Sequence, residues 1–272
     1  MKAVAARRLA LAAALALAGG GAKSHDTWFE PLPASAGVGA QLLALGTGNQ
    51  FPVFEVGVGA NFVVRQGCRR GAGAPQSMTP LRDDPAALVL RVPAGPPVPA
   101  SCWVQLQALD IDLPKEKIGL YFDEAQPPTS VREAWAAIDR RGLPWKERYT
   151  KHARIELPGA DATGPLATAP SGMEMDVLMS SARQPLRSGD ELGFQVLQRG
   201  KPMPQFAVEF RNERARLGIW RRTDEQGRVR FTPTLPGQWV LRGIELRLFD
   251  AVPDSWLGNF VTLVFSVEAK VQ

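Results

Sequence analysis

Histidine and cysteine are nearly missing: the 272 residues hold 2 of each. A site built on imidazole or thiolate must draw on His25, His152, Cys68 and Cys102, which excludes most zinc modules, cysteine-rich scaffolds and histidine tracts. Long apolar runs are missing too. After residue 24 nothing approaches the roughly 18 uncharged apolar residues of a bilayer span, so no integral membrane segment is expected in the mature chain. Several enzyme signatures are also lacking. There is no Gly-x-Ser-x-Gly elbow and no His-Glu-x-x-His, and Gly200-Lys201 runs into Pro202 without the preceding glycine of a phosphate-binding loop.

What is present is a foldable composition, 45% hydrophobic and 22% charged, enough for one large domain or two of ordinary size. Lys and Arg total 32 against 27 Asp and Glu, a net +5 that invites a nucleic-acid reading. The position of the charges removes it. Residues 1–24 read as a secretory signal: Lys2, Arg7 and Arg8 form a basic start, 9–18 a Leu/Ala run too short to span a membrane, and small residues permit cleavage after Ala22 or Ser24. Cleavage after Ser24 takes four of the 32 cations, leaving 28 against 27. The expectation is a periplasmic protein with no nucleic-acid partner. In that oxidising compartment Cys68 and Cys102, each at the edge of a strand-like run, are expected to form a disulfide closing a 34-residue loop, worth about 3–4 kcal/mol, the alternative being two buried free thiols in neighbouring strands.

Along the mature chain, strand-like runs at 41–45, 61–65, 87–92 and 102–109 alternate with Gly/Pro-rich turns. Residues 115–123 and 130–141 then have helical spacing, with Ser130 and Glu133 as a capping pair and Gly142 as the stop. Residues 146–151 add a further helical turn, so a helical insertion of about 115–151 interrupts a β domain at 25–160. The Gly/Pro/Ala/Thr-rich stretch 161–170 is the boundary candidate. Beyond it, at 171–272, seven strand candidates (173–179, 191–198, 205–211, 216–222, 228–233, 238–248, 259–268) have the density of a transthyretin/Ig-like sandwich. The fold class is all-β with a small helical insertion, in two β-sandwich domains.

The string His25-Asp26-Thr27-Trp28-Phe29-Glu30-Pro31 resembles the opening of the DUF4198 family, exported bacterial proteins often labelled NikM-like or nickel/cobalt-uptake-associated. Gly48-Asn49-Gln50-Phe51-Pro52, Asp112-Leu113-Pro114 and Arg148-Tyr149-Thr150-Lys151 resemble the family's middle region. Gly200-Lys201-Pro202, Thr223 through Phe231 and Pro236-Gly237-Gln238-Trp239 resemble its transthyretin-like C-terminal part. The resemblance implies a metal-related role.

The residues suggest a chemistry for it. Cleavage after Ser24 makes His25 the N-terminus, where its α-amine and imidazole can chelate one metal, and His152 is the only imidazole available to complete a three-nitrogen site. Such ligation suits Cu(II) or Ni(II). Cleavage after Ala22 leaves Lys23-Ser24-His25, a terminus that chelates the same ions through amine, amides and imidazole. The metal candidates are therefore His25 and His152, the metal Ni, Co or Cu, and the partners a metal ion and an envelope transporter. The alternative is a metal-free envelope module that recognises a protein or glycan through loops and exposed aromatics such as Trp256 or Trp145. A third reading makes Asp110 and Asp112, about 7 Å apart on one strand face, a hydrolase pair. Five arginines at 211–222, around Trp220, form a solvated basic hairpin or a dock for an anionic partner.

Overall fold

Runs in which every second residue is apolar become strands, because successive strand side chains point to opposite faces. In the computed structural model, which describes residues 25–33, 41–159, 169–180 and 185–270, the first half carries β1 (Asp26–Leu32), β2 (Leu42–Gly48), β3 (Val56–Gly57), β4 (Val63–Arg70), β5 (Thr79–Asp83), β6 (Leu88–Arg91), β7 (Ala100–Leu106) and β8 (Leu109–Leu113). Two helices follow, α1 (Lys115–Ala125) and α2 (Thr129–Arg140), then β9 (Trp145–Leu157). The second half carries β10 (Met175–Met179), β11 (Leu192–Gln198), β12 (Lys201–Pro202), β13 (Ala207–Asn212), β14 (Ile219–Arg222), β15 (Arg228–Phe231), β16 (Gly237–Leu248) and β17 (Trp256–Val267). Each of the seven segments expected after residue 171 is a strand.

Three sheets form. A central sheet has the order β14-β13-β16-β17-β9-β7-β4, with β8 also on β9. One cover sheet is β1-β2-β6-β5 with β3 on β2; the other is β10-β11-β12 with β15 on β11. The central sheet is buried on both faces, as its alternating residues show. On β17, Val261, Leu263 and Phe265 pack with Val177, Phe194 and Val196 of the second cover sheet. Val264 packs with Phe29, Leu43 and Leu88 of the first. Phe260 and Trp256, on the same side as Val264 by alternation, pack with the helices. The first cover sheet and the helical pair thus share one face, and a sandwich closes on each side. The sheet draws strands from both halves: β17 runs parallel to β9 from Trp256↔Glu147 to Val264↔Ile155.

Two local expectations are corrected. Residues 146–151 are not helical but the first half of β9, whose alternating burial, with Trp145 and Glu147 buried and Lys146 and Arg148 exposed, has the period of a strand. Ser130 is not a cap: α2 starts behind Pro128, with no side-chain cap hydrogen bond. The stop at Gly142 is as expected, since its φ of 73° is left-handed and suits glycine. Cys68 and Cys102 lie opposite each other on β4 and β7 and are joined as a disulfide.

Candidate functional site

Three of the motifs described above, at 25–31, 48–52 and 148–151, meet at the start of β1. Asp26 pairs with Gly48 in the β1–β2 ladder, and Phe51 packs edge-on against Trp28, ring centroids 5.7 Å apart. β1 is seated on the central sheet by Thr262 Oγ1, which donates to Thr27 O at 2.6 Å. His25, half-exposed, precedes the strand and places Nε2 3.3 Å from Glu55 Oε2. Asn49 fixes that carboxylate, with Nδ2 donating to Oε2 at 2.7 Å and its backbone N to Oε1 at 3.2 Å.

Asp26 is buried. Its Oδ2 accepts from Arg242 Nε, and Arg242 donates through Nη1 to Glu209 Oε2 at 3.1 Å and Glu124 O at 3.0 Å. Burial alone would lower the Arg242 pKa, but Asp26 and Glu209 outweigh it and hold the guanidinium above its ordinary value. Asp26 Oδ1 has no hydrogen-bond partner among the described residues.

The central sheet separates the two histidines. Ala153 and Ile155 pack under the first cover sheet, so alternation sends His152 and Arg154 to the opposite face, where Arg154 Nη1 meets Asp176 Oδ1 of β10 at 2.9 Å. His152 is 1% exposed. Its Nδ1 donates to Phe260 O at 2.9 Å, while Nε2 has no partner among the described residues. Burial pushes its pKa down to about 4, against the pull of the Phe260 carbonyl, Glu174 and Asp176. The imidazole is neutral, enclosed and not gathered with His25. On the Asp26 side β9 presents Lys151, a residue of the 148–151 motif to which the sequence assigned no chemistry. Its ammonium lies 5.6 Å from the centroid of the Tyr149 ring and 5.9 Å from that of Phe260, and burial lowers its pKa to about 8 with Asp26 opposing. The signal for it was present: on a strand, 149 and 151 share a face that 152 does not.

The other candidates fall outside this site. Asp110 and Asp112 are on β8, at the open surface. Arg148 grips Asp110 at 2.8 and 2.9 Å, and that hydrogen bonding holds the Asp110 carboxyl below its usual range. Trp145 and Trp256, expected as exposed recognition aromatics, are 0% exposed. They stack on each other 4.5 Å apart beneath the helices, because each occupies an inward position of its strand. In the basic hairpin, Arg211 pairs with Glu209 at 2.8 Å and Arg222 donates to the carbonyls of Gln205 and Gln126.

Among the described residues no three His, Cys, Asp or Glu side chains are grouped to hold a metal, so a metal at His25 needs main-chain nitrogen as well. None of the described helices is long and apolar enough to cross a membrane. A family model, described as a domain of unknown function (DUF4198), matches residues 22–244. No curated protein matches the chain.

Proposed function

The chain belongs to the DUF4198 family, and from that premise we propose that it is an exported, non-catalytic periplasmic protein that binds Cu(II), Ni(II) or Co(II) at its mature N-terminus, for metal uptake or homeostasis with an envelope transporter. His25 is the primary ligand. The observation that carries the reading is the contact of its Nε2 with Glu55. Metal-bound imidazoles commonly give their second ring N–H to a carboxylate, which fixes the tautomer and raises the basicity of the ligating nitrogen. A proton on Nε2, the ring nitrogen nearest Glu55, leaves the lone pair on Nδ1. That is the ring nitrogen that closes a six-membered chelate with the residue's own α-nitrogen. Both candidate termini, His25 itself and Lys23-Ser24-His25, use this atom, and planar nitrogen ligation favours Cu(II) and Ni(II). His152 takes no part, since its lone pair is enclosed on the other face of the sheet.

The test begins with export of the untagged precursor and mass determination of the mature N-terminus. Wild type, His25→Ala and His152→Ala are then titrated with Cu(II) and Ni(II). His25→Ala should weaken binding at least tenfold and His152→Ala should leave it unchanged; equal binding by wild type and His25→Ala ends the proposal.

A further inference from the structure

A cavity of about 420 Å³ opens where the chain enters β10, within the range of roughly 300–1,000 Å³ that accommodates small ligands. Both halves of the molecule line it: Arg65 of β4 and Gln105 of β7 on one side, Met173, Glu174, Leu197 and Arg199 on the other. It is separate from the N-terminal site and does not depend on it.

The acceptors of this cavity are largely occupied, whereas two of its donors, Arg65 and the Gln105 amide, are not. Asp176 accepts from Arg154 Nη1 at Oδ1, and from Ser171 N and Oγ at Oδ2. Glu174 Oε1 accepts from Arg199 Nη2 at 2.6 Å. Gln105 Oε1 accepts from Glu174 N at 3.0 Å, which fixes the amide and leaves its NH₂ group unpartnered among the described residues. Arg65 has no ion-pair or hydrogen-bond partner there either, so the charge of the lining is not balanced at this residue. The chain makes room for it: Gly172, at φ 79°, would with a Cβ come within 3.2 Å of Arg65 Nη1. Glycine here serves both the left-handed turn and the clearance for the guanidinium.

We infer that this cavity binds a small organic oxyanion. The Arg65 fork, geometrically matched to carboxylate and phosphate oxygens, takes the anionic head, the Gln105 amide adds a second donor, and Met173 and Leu197 face the apolar body. Carboxylates and phosphate esters share this chemistry, and the probes separate them.

Calorimetric titration of the full exported chain with benzoate and with phenyl phosphate, at constant ionic strength, is the experiment. At least one of the two should bind with a dissociation constant of about 10 mM or tighter, and which one binds names the head group. Arg65→Ala should weaken that binding tenfold or more, in line with a charge-assisted hydrogen bond. Arg65→Lys, which keeps the charge and loses the fork, should fall between. Arg230→Ala, which removes an exposed arginine of β15 outside the cavity, should change nothing. Absence of binding by both probes, or equal loss in Arg65→Ala and Arg230→Ala, overturns the inference. Arg65 is on the surface, and a thermal melt of each variant verifies that it remains folded.

Discussion

Glu147 is a carboxyl group enclosed between sheet and helix, 4% exposed. Tyr121 Oη and Trp145 Nε1 each donate to it at 2.8 Å, yet burial outweighs both donors and raises its pKa to about 7 from 4.5. The folded state therefore binds this proton more tightly than the unfolded chain. Its contribution to stability is fully present below about pH 4.5 and is lost as pH rises through 7. Glu147→Gln carries no such titration. Between pH 5 and 8 its stability relative to wild type should rise, by about 3 kcal/mol at most, read as the difference in urea midpoints. The lost geometry of the second donor is a pH-independent offset, and His152 titrates alike in both proteins, so the trend isolates Glu147; a flat difference would refute the raised pKa. Glu147 and Lys151 show why the site was only partly legible. His25 could be found because chemistry singles it out. The two β9 residues matter through which face they share, and a string read as helical assigns those faces wrongly.

The element that misled is also the one that fixes the helices. Lys146, Glu147 and Arg148 are good helix formers, but β8 on one side and β17 on the other pair with them, and tertiary pairing overrides propensity. The helices 115–125 and 129–140 were readable because their apolar spacing is intrinsic: Ile118, Tyr121, Phe122 and Ala125, then Val131, Trp135 and Ile138, all buried. What they bury against was not readable, since it comes from remote strands. Trp145 and Trp256 stack at 4.5 Å, with Trp135 and Phe122 edge-on at 5.3 and 5.7 Å. Trp256→Ala removes the floor of this cluster and should cost about 3–5 kcal/mol, the range for large buried aromatics. Hydrogen exchange should locate the effect: amides of α1 and α2 should lose more protection than those of β10 and β11. Uniform loss across the molecule would mean that the stack supports the whole sheet rather than its helical cover.

At the scale of the molecule, the strand count after residue 171 and the helical interruption were legible as patterns, whereas a parallel pair between β9 and β17 was not, because nothing local encodes it. That pairing makes the two sandwiches share a sheet. A buried ionic cluster reinforces the union: Arg154 on β9 meets Glu156 at 3.1 Å and Asp176, across the 160–168 stretch, at 2.9 Å, and Ser101 of β7 donates to Glu156 at 2.7 Å. Removing one partner from such a cluster leaves a buried charge uncompensated, at a cost of about 3–5 kcal/mol. The covalent connection through 160–168 should then matter little once the chain is folded. A protease site introduced there and cut in the native protein should leave both fragments co-eluting in gel filtration, and intact wild type should unfold in one cooperative transition seen alike by tryptophan fluorescence and far-ultraviolet circular dichroism. The tryptophans lie in both halves of the sheet, Trp103 and Trp145 before 160 and Trp239 and Trp256 after it, so independent halves would appear as two transitions with different weights in the two signals. Separation of the cut fragments under native conditions would show that the shared sheet depends on the connection.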